Sequence, residues 1–200
     1  RGNYGRLSQP IPVIYGQHLV YPDLAATPYS EYANNEEYLY QLHVIGIGHF
    51  VFEELLIDDS PISAFEEIQA QVIEPGGSNT LFNHDVVAAP EVSGQELIAV
   101  ADGGRAVGPF VINPVATQID QIGIDVVMLR GLYYANDSGA LESRSIQWRV
   151  EARSVNEDGD ATSGWMHLAD ETFNAATNTA QRLTYKYTVT PGRYEVRVQR

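Results

Sequence analysis

Five histidines are the residues most open to chemistry: His18, His43, His49, His84 and His167. A zinc site needs two or three of them to converge on one ion. His49 precedes Glu53 and Glu54, and His84 adjoins Asp85. The HExxH order is absent, and on an extended strand the side chains of His49 and Glu53 would lie ~13 Å apart. These residues therefore read as ordinary polar edge positions, with no metal and no cofactor implied. Asn156-Glu157-Asp158-Gly159-Asp160 begins like a calcium loop. The twelfth position must be a glutamate and here is His167, so the segment reads as a hairpin turn.

The carboxylate pairs Glu36-Glu37, Glu53-Glu54, Asp58-Asp59 and Glu66-Glu67 raise glycosidase chemistry, in which two carboxylates flank the scissile bond. Neighbours on a strand point to opposite faces, so no pair is itself a catalytic pair. Gly46-Ile47-Gly48 lacks the third glycine and the helix of a dinucleotide fingerprint. Gly103-Gly104 to Gly108 lacks the lysine and hydroxyl of a P-loop. No GxSxG elbow occurs. The chain has no cysteine, which removes disulfides, thiolate ligands and thiol nucleophiles together. The reading is that this is not an enzyme.

The elements that would position these residues are strands. Ile11–Tyr15 and His18–Tyr21 flank Gly16-Gln17, a tight-turn candidate. Pro22, Pro28 and Asn34-Asn35 mark an irregular arm. The run from Tyr38 to Ile57 reads as two strands broken at Gly46-Ile47-Gly48, with helix as the rival reading. Asp58-Asp59-Ser60-Pro61 is a turn, and Glu67–Ile73 alternates as a half-exposed strand. Pro90 and Gly94 interrupt a less regular stretch. The later half alternates more cleanly, in Ile119–Leu129, Ser145–Val155, Arg182–Val189 and Tyr194–Gln199. Turns are expected at Asn136–Gly139, Asn156–Asp160 and Pro191-Gly192. Trp148 and Trp165 are both expected to fill a two-sheet core. The fold class is mainly β: a β-rich domain over 1–104, then a fibronectin- or immunoglobulin-like β-sandwich over 105–200.

Charge separates the same halves. Residues 1–100 carry 14 acids and 2 bases, and residues 101–200 carry 12 acids and 10 bases. Such an acidic half repels nucleic acid and anionic lipid, so neither is an expected partner. It serves either solubility or a basic neighbour in an assembly. No run of ~18 apolar residues is present to span a membrane. Both ends read as cut from a longer polypeptide.

Four motifs carry a family resemblance: Pro12-Val13-Ile14-Tyr15-Gly16, Tyr21-Pro22-Asp23-Leu24-Ala25-Ala26, Gly46-Ile47-Gly48 and Leu56-Ile57-Asp58-Asp59-Ser60-Pro61-Ile62. Near the end, Arg182-Leu183-Thr184-Tyr185 and Pro191-Gly192-Arg193-Tyr194-Glu195-Val196-Arg197-Val198 add to it. Together they resemble the central hub segment of phage tail-tip proteins, the host-specificity or tip-attachment family of lambda-like phages. The resemblance implies a virion structural protein without catalysis. It implies a trimeric hub that closes the tail tube, contacts other tail-tip proteins and connects to host-recognition regions. Gly16, Pro22, Gly46, Gly48 and Pro61 then read as backbone-shaping positions.

The arm tyrosines Tyr21, Tyr29, Tyr32, Tyr38 and Tyr40 suit lapping a neighbour, or else cover their own domain's core. Two alternatives stand beside the hub reading. One is a secreted or surface carbohydrate-binding or carbohydrate-cleaving β protein, and the other is a bacterial adhesion module.

Overall fold

A computed structural model of the chain describes residues 10–83, 85–89 and 92–200. The readings placed on His84, on Pro90 and on residues 1–9 lie outside these. Strands dominate, and no α-helix occurs among the described residues. The chain divides into two compact units. One holds residues 1–30 and 39–86, the other residues 31–38 and 87–200.

The first unit is built from short pairings. Strand β1 (Asp23–Leu24) pairs antiparallel with β4 (His43–Val44). Strands β2 (Tyr29–Ala33) and β3 (Glu36–Tyr40) form a hairpin whose residues 31–38 belong to the second unit. Its two connecting residues, Asn34 and Asn35, both have positive φ (52° and 66°), the backbone of a type I′ turn. Asparagine tolerates that region better than other residues with a Cβ. Strands β5 (Leu56–Ile57) and β6 (Ser60–Pro61) close over Asp58-Asp59, with Asp58 at φ 54°.

Several expected strands are absent here. Ile11–Tyr15, His18–Tyr21 and Glu67–Ile73 form no ladder, and between Tyr38 and Ile57 pairing is confined to the ends of β3, β4 and β5. Alternation prepares a side-chain pattern, but a ladder also needs a partner edge, and these segments meet none. Every residue from 63 to 81 is exposed. Phe82 is the single buried residue among those described in this unit.

The second unit has a true core. Strands β7 (Val107–Val111), β8 (Ile119–Met128), β11 (Arg144–Ser154), β12 (Met166–Ala175), β13 (Gln181–Gly192) and β14 (Tyr194–Gln199) form two antiparallel sheets. The order is β12-β11-β14-β7 in one sheet and β13-β8 in the other. A small hairpin of β9 (Tyr134–Ala135) and β10 (Leu141–Glu142) precedes β11. The inward positions of β11 are Ile146, Trp148, Val150 and Ala152, as period 2 requires. They meet Ile122 of β8, Val189 of β13, and Tyr194 and Val196 of β14. Trp148 packs edge-on to Tyr185 at 5.2 Å.

Trp165 does not join this core. It lies in the connection before β12, on the opposite face of the sheet, under two arginines. Trp165 stands one residue before β12 begins, so the strand's alternation does not fix its side.

Two loops share one device. Asn136 Oδ1 accepts from the N–H groups of Ser138 and Ala140. Asn156 Oδ1 accepts from the N–H of Asp160. Each asparagine thus closes its turn through its own side chain. The corner between β13 and β14 is closed differently. The Tyr194 hydroxyl donates to the Thr190 carbonyl, four residues upstream, at 2.6 Å. Its ring lies over Gly192, where a Cβ would come 3.1 Å from the ring. A tyrosine at the start of a strand, bonded back across the preceding corner, is a hallmark of immunoglobulin-like sandwiches.

Candidate interaction surfaces

The arm tyrosines separate into three groups. Tyr29 stacks on Tyr40 at 4.7 Å and tilts against Phe82 at 5.4 Å, and its hydroxyl accepts from the Asn83 N–H. These rings form a small aromatic nucleus in a unit that has little other core. Tyr21 and Tyr38 are exposed, and the Tyr38 hydroxyl reaches Glu36 at 3.3 Å. Tyr32 belongs with the second unit, where its N–H donates to Thr184 Oγ1 at 2.8 Å.

That bond is one of three fastening the hairpin tip to β13. Asn35 Oδ1 accepts from the Arg182 N–H at 2.8 Å, and Glu31 pairs with Lys186 at 2.6 Å. Thr184 in turn donates to Asp125 on β8. Residues 31–38 are thereby built into the β-sandwich from a distant part of the sequence. The later part of the irregular arm read in the sequence, Tyr29 to Tyr40, is this hairpin.

The backbone-shaping positions fall in the first unit. Gly46 is the tightest of them, since a Cβ there would stand 2.9 Å from the Pro12 carbonyl oxygen and 3.0 Å from the Phe50 ring. Gly16 and Gly48 have φ of 77° and 119° in open surroundings. Pro22 immediately precedes β1, and Pro61 lies in β6 opposite Leu56.

A charged ladder covers the outer face of β11 and β14. Arg153 pairs with Glu195 directly across the strands, and Arg197 pairs with Glu151 at 2.7 Å. Both guanidiniums lie over the Trp165 ring, at 4.4 and 4.1 Å. Each cation thus has a carboxylate beside it and an aromatic face beneath it. Glu195 is buried by this arrangement. Further along, Arg149 bonds Asp170 at 2.8 Å and lowers its pKa, with His167 adding to the effect. The sequence shows each of these charges as an ordinary outward residue. Only the register, Arg153 opposite Glu195 and Glu151 opposite Arg197, reveals the ladder.

The described histidines go to separate neighbours. His18 donates to the Tyr15 carbonyl, His49 meets Glu74 and His167 meets Asp170, while His43 Nδ1 is buried. No group of three metal-capable side chains forms among the described residues. No helix of the described structure is long and apolar enough to cross a membrane. Burial, and then the charge of Glu171, raises the pKa of Tyr185 and, more strongly, of Tyr187, whose hydroxyl bonds Glu171 at 3.1 Å.

No curated protein and no solved structure matches the chain. A family model does match: that of the FNIII-A domain of tip attachment protein J, over residues 105–200. The match covers the strands from β7 to β14, including the Tyr194 corner and the Trp148 core. Sequence family and observed fold coincide on the same residues: the sandwich at 105–200 matches the FNIII-A domain of tip attachment protein J, a phage tail-tip protein.

Proposed function

We propose that the chain is part of the central hub of a long-tailed phage or prophage tail tip. In this role it closes the tail tube, supports tail assembly and carries connections to the host-recognition regions. It acts as structure in the virion, not as a catalyst, and has no cofactor. The observation that carries the reading is the FNIII-A match laid over a sandwich with its own closed core.

The hub is a homotrimer in the full-length protein and meets other tail-tip proteins at its rim. Tyr21 and Tyr38, exposed in this chain, are the arm tyrosines available to that rim. Tyrosine suits such a place because it brings large contact area at small entropic cost. The test is solution mass by light scattering across a concentration series, for the native chain and for Y21S/Y38S. The reading predicts a trimer that the double variant weakens. A strict monomer at every concentration would remove the ring interface from this segment.

A further inference from the structure

The seam between residues 11–17 and 46–53 is folded yet turns its apolar side chains outward. Ile11, Val13 and Tyr15 stand at alternate positions and are 47%, 55% and 83% exposed. Across the seam Ile47 and Val51 are 59% and 96% exposed. The two segments are held together. The Ile47 N–H donates to the Pro12 carbonyl at 3.0 Å, and Gln17 donates to Glu53 at 2.8 Å. Gly46 fits against Pro12 and Ile14 so closely that a Cβ would collide. A backbone fixed this tightly, with its large apolar residues facing out, presents a surface for a partner.

Charge selects the partner. Glu53 and Glu54 lie on the seam itself, and Glu74 reaches it through His49. No lysine or arginine occurs between Arg6 and Arg105. A second copy of this surface would therefore bring like charge against like. The outer-face cations of the second unit are also committed, Arg153 to Glu195, Arg197 to Glu151 and Arg149 to Asp170.

We infer that this seam docks an apolar surface rimmed with lysine or arginine, carried by a different protein. The inference rests on reading the chain as part of an assembly, and it names the chemistry of that neighbour. Its test reads a different quantity from the trimer measurement.

A charge-reversed copy of the chain supplies the probe. The triple variant E53K/E54K/E74K keeps the apolar seam and gives it a basic rim. Native and reversed chains are mixed in equal amounts and followed by analytical ultracentrifugation. The expected result is a mixed complex beyond the native chain's own assembly state, weakened about tenfold or more by raising salt to ~1 M. Val51→Asp in the native partner should abolish the mixed complex and leave the native chain's own state unchanged. Hydrogen exchange at residues 48–52 should be fast in the native chain alone and slowed in the mixture.

Three results would overturn the inference. One is no mixed complex with a correctly folded variant, as judged by retained slow exchange of the Ile47 N–H that bonds Pro12. Another is native self-association that Val51→Asp removes. The last is slow exchange at 48–52 in the native chain alone, which would mean that the chain already covers the seam.

Discussion

Asn113 offers the sharpest test of how the sandwich is held together. It is 3% exposed, yet its side chain serves three partners. Its Oδ1 accepts from the Tyr194 N–H at 3.0 Å. Its Nδ2 donates to the Thr117 carbonyl at 3.0 Å and to the Gly192 carbonyl at 3.4 Å. The amide thus ties the β7–β8 connection to the β13–β14 corner.

Asn113→Ala removes these bonds, together with the one from Nδ2 to Thr117 Oγ1 at 3.1 Å, and leaves their partners behind. The Tyr194 N–H is deeply buried and has no route to water, so its loss should cost about 1–3 kcal/mol. The Gly192 carbonyl is half-buried and makes a long bond, and Thr117 reaches solvent, so together they should add about 1 kcal/mol. The total, about 2–4 kcal/mol, should lower the melting temperature by roughly 10–20 °C for a domain of about 100 residues. Both tryptophans, Trp148 and Trp165, lie in the second unit, so their fluorescence during urea unfolding reports on this domain. The variant should shift the midpoint at unchanged slope. A shift worth less than about 0.5 kcal/mol would refute the claim that this amide closes the corner.

Other expected outcomes follow from the same contacts. Trp165→Ala takes the aromatic face from under Arg153 and Arg197 and should destabilise the domain by about 1–2 kcal/mol, read by the same unfolding assay using Trp148 alone. Gly131→Ala should unfold the domain or cost upward of ~3 kcal/mol, because its φ is 72° and a Cβ would stand 2.1 Å from the Thr177 carbonyl; circular dichroism melting checks it. Tyr187 has a raised pKa in the fold, so its phenol stays protonated while unfolded tyrosines ionise near ~10. Its contribution is complete below that value and is lost as pH rises through it. Stability measured between about pH 9 and 11 should fall more steeply in the native chain than in Tyr187→Phe. Thr184→Val breaks a fastening of the hairpin tip and should speed hydrogen exchange at residues 31–38, with the sandwich still folded.

The second unit was legible because its strands pay two debts at once, pairing and core burial. Ile146, Trp148, Val150 and Ala152 alternate in sequence and face the core in the fold. Tyr194 was visible only as one more alternating residue, since its bond to Thr190 depends on the corner's geometry. The first unit was read less well. Ile11, Val13 and Tyr15 alternate like a strand, but they pack against no sheet and stay exposed. The sequence places Asn34-Asn35 in an irregular arm, although two adjacent asparagines suit the paired positive φ of a hairpin turn. That the tip of this hairpin is fastened to β13 joins residues about 150 positions apart, and no local pattern carries such information. The charged ladder around Trp165 was hidden for the same reason: strand register is a property of two segments and not of one.

The central claim is that the chain is a structural part of a tail tip. Its most direct test is immunogold electron microscopy of tailed particles that carry this gene, using antibody raised against the chain. The account predicts gold at the end of the tail distal to the head. Particles without label, or with label spread along the tail, would contradict it.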